Sequence, residues 1–225
     1  MLTSVNKKLK GYFYEDGYIR TSSREFDLDN LNDKFIHLTN DAIQKQAEDF
    51  GKFENFNKLS YGDFQRYLNQ YHADLEVDVL KHIVPQMKKL ITDTFRAVCF
   101  KIDPKRLLNS FEVLGYDFML EDNFKLSLIE VNTNPCLETE SPLLARIIPE
   151  LIDNTFKIAL DPIFPPPDLT THRKLAVNEL PQEIKYSLIF DEKVDGPELK
   201  DIFTRYYEKL EKRSTLKSDG VKSPQ

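Results

Sequence analysis

The sequence contains no tryptophan, only two cysteines and seven glycines. It also lacks any uncharged apolar run of about 18 residues, the length that spans a bilayer. Cys99 and Cys136 belong to no Cys-x-x-Cys motif and have no histidine at metal-ligand spacing, which argues against zinc and favours two reduced thiols. The first residues, MLTSVNKKLKGYFYEDG, lack the apolar core of a signal peptide. These absences predict a cytoplasmic protein that crosses no membrane.

The balance of charge argues against one class of partner. A net charge of −6 disfavours a general nucleic-acid-binding protein. Both ends of the chain carry more Lys and Arg than Asp and Glu, whereas the middle is strongly acidic. The basic first segment is compatible with an anionic partner such as a phosphate or an acidic peptide, and equally with an ordinary solvated surface.

Amphipathic segments separated by polar turns fill most of the chain. The opening KLKGYFYEDGYIRTSS predicts a β-hairpin, with strands over Leu9–Tyr14 and Tyr18–Ser22 joined by the turn Glu15–Gly17. The segment FIHLTNDAIQKQAEDF then predicts a short apolar run followed by a short helix, for which residues 39–41 are all suitable caps.

Periodicity predicts the remaining elements. Pro85 should kink the longest helix or delay its start. Three prolines at 165–167 are expected to close a compact domain of residues 1–167, followed by a connector with one strand and one helix, 168–213, and a disordered tail, 214–225. The predicted helices cover Tyr61–Tyr71, Glu76–Val98, Ser141–Asp161 and Pro197 to about Arg213; the predicted strands cover Phe111–Met119, Phe124–Val131 and Tyr186–Phe190.

Polar side chains interrupt two apolar strands in the stretch FEVLGYDFMLEDNFKLSLIEVNTNPCLE. A two-residue turn would place Asp117 opposite Leu128, so that Asp117, Glu130 and Asn132 project from one face. Two carboxylates this close repel each other unless a proton, a cationic side chain or a metal ion relieves them.

Oxygen ligands without thiol or imidazole suit magnesium, which commonly shares its coordination with substrate phosphates. One interpretation of the three residues is therefore a magnesium-nucleotide site. The other is an edge strand whose acids face solvent, and the pattern leaves both open because a one-residue change of register reverses the face.

Phosphate-binding motifs of the Walker or GxGxxG type are absent from the sequence. Thr39 and Asn40 precede the short helix, where free N–H groups bind phosphate in some proteins, although ordinary capping explains them as well. Arg20 is either a solvated strand charge or an anion clamp. Lys58 lies in a segment, GKFENFNKLSYGDF, that is predicted to be a loop.

Four segments in order, GYFYEDGYIRTSS, FIHLTNDAIQK, FEVLGYDFMLEDNFKLSLIEVNTNPCLE and FPPP, resemble the tubulin-tyrosine ligase family, which includes tubulin glutamylases and glycylases. The resemblance runs from about Leu2 to Pro167. It implies an α+β fold, namely the carboxy-terminal portion of an ATP-grasp fold with a mostly antiparallel sheet flanked by helices. The family's amino-terminal lobe and its glycine-bearing phosphate loop would precede Met1.

The resemblance also implies roles for individual residues. Asp117, Glu130 and Asn132 match the family's magnesium ligands, and Thr39 and Asn40 match residues that contact ATP.

Two basic residues complete the site that the resemblance implies. Arg20 matches the arginine that holds the amino-acid carboxylate or the reacting phosphoryl group, and Lys58 falls near a lysine that glutamate-adding members use. Asp41 and Thr133 depart from the glutamylase pattern, where Tyr and His are usual. The added amino acid therefore stays open among Glu, Tyr and Gly.

The implied activity is an ATP- and Mg2+-dependent ligation of a free amino acid to the acidic carboxy-terminal tail of tubulin, through an acylphosphate. Its expected location is the cytoplasm, on microtubules or cilia, with no nucleic-acid or membrane partner. Two alternatives remain open at this point: a catalytically inactive, truncated tubulin-binding module, and a ligase that acts on another protein.

Overall fold

The computed structural model describes residues 1–165 and 183–219, with side chains through residue 210. In these ranges the chain is an α+β structure in which helices cover an antiparallel sheet and two separate two-stranded ribbons. No described helix is both long and apolar enough to cross a membrane. The strands are β1 (Leu2–Val5), β2 (Lys8–Tyr14), β3 (Tyr18–Arg20), β4 (Lys58–Ser60), β5 (Asn109–Glu112), β6 (Gly115–Leu120), β7 (Leu126–Asn132) and β8 (Tyr186–Asp191). The α-helices are α1 (Lys34–His37), α2 (Asp41–Gln44), α3 (Tyr61–Tyr71), α4 (Val84–Val98), α5 (Pro142–Ala159) and α6 (Glu192–Asp219).

Strand β2 is the centre of the core because both of its faces are covered. The sheet has the order β5-β1-β2-β8, and each neighbouring pair is antiparallel. Leu9 and Phe13 pack with Phe95 of α4 on one face, whereas Tyr12 packs with Ile147 of α5 on the other. A strand covered on both faces is largely apolar, which explains the run GYFY. Lys10 in the same strand is buried and forms an ion pair with Asp191.

Gly11 permits the close approach of α4 to the sheet. A Cβ atom at this position would lie 2.4 Å from the ring of Phe95, which is itself fully buried. Phe95 also contacts Phe190 of β8, with ring centroids 6.2 Å apart. The centre of the core is therefore shared between β2, α4 and β8.

The predicted opening hairpin is wrong in its pairing, although both of its strands exist. Strand β2 pairs with β1 along one edge and with β8 along the other, so neither edge is free for β3. Strand β3 pairs instead with β4 in a separate ribbon. The intervening turn is held on two sides, by an ion pair between Glu15 and Lys88 of α4 and one between Asp16 and Arg146 of α5. The chain leaves the sheet at this turn.

The predicted strand Phe111–Met119 is divided into β5 and β6, which belong to different sheets. The long helix predicted from Glu76 likewise starts later, because a π-helical turn over Val79–Ile83 precedes α4 and Pro85 lies in the first turn of α4. The prediction of α3 over Tyr61–Tyr71 is confirmed.

Strand β8 and helix α6 are part of the same core as the preceding residues. Glu192, at the start of α6, is buried; it accepts hydrogen bonds from Arg106 at 2.8 Å and from the Leu9 amide at 3.0 Å. Helix α6 continues to Asp219 and so enters the predicted tail. The predicted boundary at 167/168 and the last part of the tail, 220–225, lie outside the described residues.

Phe190→Ala should lower the free energy of unfolding by about 3–5 kcal/mol, because it leaves a cavity beside Phe95. Leu188→Ala on the same strand is the matched control; Leu188 is 43% exposed and Phe190 1% exposed, so the control should change stability by about 0.5 kcal/mol. Urea denaturation followed by circular dichroism measures both. Equal effects of the two substitutions would contradict this account of β8.

Candidate functional site

The ribbon of β3 and β4 places two cationic side chains side by side. Arg20 lies directly opposite Lys58, and Tyr18 lies opposite Ser60. Residues opposite each other on an antiparallel pair project to the same face, with Cβ atoms roughly 4.5–5.5 Å apart. Lys58 is therefore on a strand, and the prediction that its segment is only a loop is wrong at this residue.

The hairpin of β6 and β7 carries the predicted acidic residues, and its register differs from the prediction. Phe118, not Asp117, lies opposite Leu128, and a bulge then shifts the register so that Asp117 lies directly opposite Glu130. A bulge adds one residue to one strand, and the extra residue here is Ile129.

The turn between β6 and β7 is also longer than predicted. The Glu121 amide donates to the Lys125 carbonyl at 2.9 Å, and Phe124 takes a left-handed conformation with φ of 61°. The turn alone would have put Asp117 and Glu130 on opposite faces; the bulge restores them to one face.

Helix α4 fixes the position of this hairpin. The Gln86 side chain makes both bonds: its Nε2 donates to the Phe124 carbonyl at 2.9 Å, and its Oε1 accepts from the Leu126 backbone amide at 3.1 Å. Leu126 is buried with Val79 and Ile83. The turn end of the hairpin is therefore anchored, and the end that carries the acids projects from the anchored part.

Asn132 is opposite Gly115, the one residue on β6 with no side chain to occupy the space beside it. The Asn132 Nδ2 group donates to Glu130 Oε1 at 3.0 Å. This bond uses the donor end of the amide, so its oxygen keeps its acceptor capacity. The register therefore places Asp117, Glu130 and Asn132 on neighbouring paired positions of one hairpin.

Arg20 joins the two ribbons. Its Nη2 atom lies 3.2 Å from Asp117 Oδ2, and both side chains are partly buried, 27% and 33% exposed. The basic ribbon and the acidic hairpin therefore form one site, in which Arg20 neutralises one of the two acids.

The donor set fits a hard cation such as Mg2+, which is commonly held by one or two carboxylates together with substrate phosphates. Asp117 and Glu130 supply the carboxylates, and Asn132 supplies a neutral oxygen. Among the residues that the structure describes, no group of three or more His, Cys, Asp and Glu side chains is placed to hold a metal ion. Two carboxylates and one amide would leave coordination positions for other ligands.

Lys58 is the most buried charge in the site, with its side chain 2% exposed. Its Nζ atom donates to Asp41 Oδ2 at 2.6 Å and to the Phe56 carbonyl at 3.3 Å. Phe56 and Asn57, the two residues before Lys58, both have positive φ, of 58° and 52°. Such conformations cost free energy and indicate that the surroundings fix the backbone here.

Thr39 and Asn40 lie at the start of α2, which is shorter than predicted. Asn40 is the N-cap, but its side chain makes no capping hydrogen bond. Thr39 is half-buried and Asn40 exposed. The ion pair of Asp41 with Lys58 links this segment to the site; the structure gives Thr39 and Asn40 no direct contact with the acidic hairpin.

A buried glutamine that the sequence analysis missed holds these parts together. The Gln44 side chain is fully buried; it accepts from the Ser23 amide at 2.9 Å and donates to the Leu38 carbonyl at 2.5 Å. Asn57 Nδ2 donates to Ser23 Oγ at 2.9 Å, which extends the network to the residue before Lys58. The only sign of this role in the sequence is that Gln44 is a polar residue on the side of a short helix that turns out to be buried.

A small pocket of about 140 Å³ lies beside Arg20 and Lys58. Burial raises the pKa of the Tyr18 hydroxyl on its wall; the Arg20 cation opposes the rise, and the Asp41 carboxylate reinforces it. Tyr18 therefore stays protonated at neutral pH and can donate a hydrogen bond. The lining residues are Tyr18, Arg20, Asp41, Phe56, Lys58, Cys136, Glu138, Glu140, Ser141 and Leu144.

The fold and site define an α+β protein in which a carboxylate-bearing hairpin faces a basic ribbon. The profile of the tubulin-tyrosine ligase family matches residues 1–171. The chain belongs to the tubulin-tyrosine ligase family, as the resemblance predicted.

Three relatives illustrate this membership. The chain is 35% identical over 166 residues to tubulin glycylase 3A of Drosophila melanogaster, covering 71% of this chain and 16% of that protein. It is 33% identical over 154 residues to the human protein monoglycylase TTLL8, covering 67% of this chain and 18% of that protein. It is 30% identical over 151 residues to tubulin glycylase 3B of Tetrahymena thermophila, covering 67% of this chain and 12% of that protein. The matched region is therefore less than a fifth of each relative.

Gln44→Leu should lower the free energy of unfolding by about 1–3 kcal/mol, because it leaves buried donors and carbonyls without partners. The exposed Gln46→Leu is the matched control on the same segment and should have little effect. Chemical denaturation measures the loss, and NMR shifts of Asn57 and Lys58 report whether the network is disturbed. A Gln44 variant as stable as the Gln46 variant would contradict the assigned role.

Proposed function

We propose that this chain supplies the metal-binding part and the amino-acid side of an ATP-dependent ligase that modifies tubulin. The observation that carries the proposal is the convergence, in a member of this family, of Asp117, Glu130 and Asn132 with Arg20. Carboxylates beside a cationic guanidinium are suited to a reaction in which charge on a phosphoryl group must be balanced.

The proposed architecture is the carboxy-terminal part of an ATP-grasp domain formed by residues 1–167. The antiparallel sheet supports it, as does the hydrogen bond that anchors the hairpin of the proposed ligands to α4. The segment from residue 183 completes the same sheet through β8.

In this proposal Asp117, Glu130 and Asn132 hold Mg2+, which neutralises charge on the ATP phosphates when bound. Thr39 and Asn40, at the start of α2, contact the nucleotide. Arg20 orients the amino-acid carboxylate or the transferring phosphoryl group beside Asp117.

The proposed reaction has two steps. A carboxylate oxygen of tubulin attacks the γ-phosphorus of ATP, which forms an acylphosphate and releases ADP. The amine of the free amino acid then attacks the acyl carbon; phosphate leaves, the nitrogen loses a proton and an amide forms. The side chains of this chain bind and orient the reactants in both steps, and no protein nucleophile is needed.

We further propose that glycine is the amino acid and that the acidic tail of tubulin is the acceptor, on cytoplasmic or ciliary microtubules. The names of the three relatives, two tubulin glycylases and a protein monoglycylase, support glycine. The Asp41 carboxylate beside Lys58 also disfavours an acidic substrate side chain.

In an active ligase that contains this chain, Asp117→Asn and Glu130→Gln should each abolish ligation. Each substitution removes a negatively charged metal ligand and keeps the side-chain volume. The assay follows labelled glycine, glutamate and tyrosine on purified tubulin. Asp122→Asn in the turn of the same hairpin is the control and should keep full activity. Turnover by the Asp117 and Glu130 variants equal to that of the control would refute the metal assignment.

Residues 1–225 alone should bind Mg-ATP weakly or not at all, because the proposed ligands contact only one side of a nucleotide. Isothermal titration calorimetry with Mg2+ and a non-hydrolysable ATP analogue measures this affinity. Tight binding to this chain alone would contradict the proposed division of the site.

A further inference from the structure

We propose that a groove between α3 and residues 72–80 is a docking site for a basic peptide segment in which Lys or Arg flanks aliphatic side chains. This α3 groove has a volume of about 520 Å³, within the range of roughly 300–1,000 Å³ that is usual for ligand-binding clefts. Among the residues that the structure describes, none that lines the groove belongs to the acidic hairpin or to the basic ribbon. The inference is therefore independent of the proposed ligase activity.

One face of α3 forms the first wall of the groove. The wall contains Tyr61, Gln65, Leu68 and Asn69, and their spacing along the chain places them on a single face of the helix. Leu68 is buried in one apolar cluster with Val79, which lines the opposite wall. The buried part of the groove is therefore apolar and suits the aliphatic side chains of a ligand.

Hydrogen bonds hold the second wall in place. The Gln65 Nε2 group donates to the Val77 carbonyl at 2.9 Å, and Gln65 Oε1 accepts from the Val79 amide at 2.7 Å. The Asp78 amide donates to His82 Nδ1 at 3.0 Å, which joins the same segment to the π-helical turn that follows it. Because both walls are fixed before a ligand binds, binding requires little further ordering of the protein.

The charge of the groove has one sign. Of the Asp, Glu, Lys and Arg residues that the structure describes, only Glu76 and Asp78 line it. Asp78 is paired with Lys81 at 3.0 Å, whereas Glu76 is exposed and forms no ion pair in the described part of the chain. A cleft lined by one sign of charge concentrates ions of the opposite sign, and the carboxy-terminal end of α3 adds a negative partial charge at this wall. The groove therefore favours a cationic ligand.

Exposed apolar and aromatic side chains adjoin the acidic ones. Leu80 lines the groove and is 63% exposed. The Tyr67 ring lies 5.1 Å from that of Tyr71 and 5.5 Å from that of His72, which also lines the groove. Aromatic rings attract ammonium and guanidinium groups, and exposed apolar side chains are covered by the apolar side chains of a partner. A segment with both Lys or Arg and aliphatic residues meets these conditions, whereas a glutamate-rich tail would be repelled.

The test is an NMR titration of isotopically labelled residues 1–225 with three acetylated and amidated peptides, GKLLKG, GELLEG and GKSSKG. GKLLKG should shift the resonances of Leu68, His72 and Glu76, and it should bind at least about tenfold more tightly than either of the others. GELLEG keeps the leucines and reverses the charge, whereas GKSSKG keeps the charge and removes the leucines. The comparison therefore measures the two requirements separately.

Two variants test the groove itself. Glu76→Lys reverses the unpaired charge, so it should weaken the binding of GKLLKG at least about tenfold and favour GELLEG. Ala73 lines the groove and is exposed, so Ala73→Trp fills part of the space without disturbing the core and should weaken the binding of GKLLKG by a similar factor. Glu48→Lys is the matched control: Glu48 is exposed and does not line the groove, and the same change of charge there should leave the preference unchanged.

Absence of GKLLKG binding, equal binding of the three peptides, shifts centred away from α3, or an unchanged affinity in either groove variant would each overturn the inference. Resonances of α3 that shift with protein concentration in the absence of peptide would also overturn it, because a second copy of the chain would then occupy the groove. The titration needs neither ATP nor tubulin, so its result does not depend on whether the chain takes part in ligation.

Discussion

The candidate site depends on buried groups that bring two separate β-ribbons together, and the contact between Arg20 and Asp117 marks the point where the ribbons meet. A partly exposed ion pair of this kind stabilises a protein by at most about 1 kcal/mol. It is therefore too weak to hold the ribbons in place. Buried groups do that: Gln86 and Leu126 anchor the acidic hairpin to α4, and the network around Gln44 fixes the basic ribbon. The ion pair forms because these buried groups bring acidic and basic side chains together.

Acidic and basic side chains alternate across the site, so each has a different electrostatic environment. Glu130 is exposed and Asp117 is paired, so a cation bound between them would complete the charge balance of the hairpin. Arg20 separates this acidic region from the pocket, where Lys58 is already neutralised by Asp41. In the proposed function, Arg20 would orient a reactant beside Asp117, and the reactants would meet without a protein nucleophile.

Some of these features could be predicted from the sequence, and others could not, for physical reasons. Helix α3 was predicted to the residue, and the structure shows that Ser60 and Asp63 form a capping box at its start, which is a local signal. The pairing of β2 was not predicted, because β8 lies far away in the sequence and long-range pairing leaves no local pattern. The short hairpin of β1 and β2, with Asn6 and Lys7 in its turn, was missed. The shared face of Asp117 and Glu130 was predicted through a wrong register: the turn is longer than assumed, and the bulge at Ile129 compensates. Gln44 and the pocket could not be predicted, since both depend on tertiary contacts between distant segments.

The central claim is that the acidic hairpin and the basic ribbon form one cation-dependent site. The most direct measurement is paramagnetic broadening of the NMR resonances of residues 1–225 by Mn2+ in place of Mg2+. The account predicts that broadening centres on Asp117, Glu130 and Asn132, reaches Arg20 across the ion pair, and disappears in a chain carrying both Asp117→Asn and Glu130→Gln. Broadening that centres instead on Glu138 and Glu140, or that persists in the double variant, would contradict it.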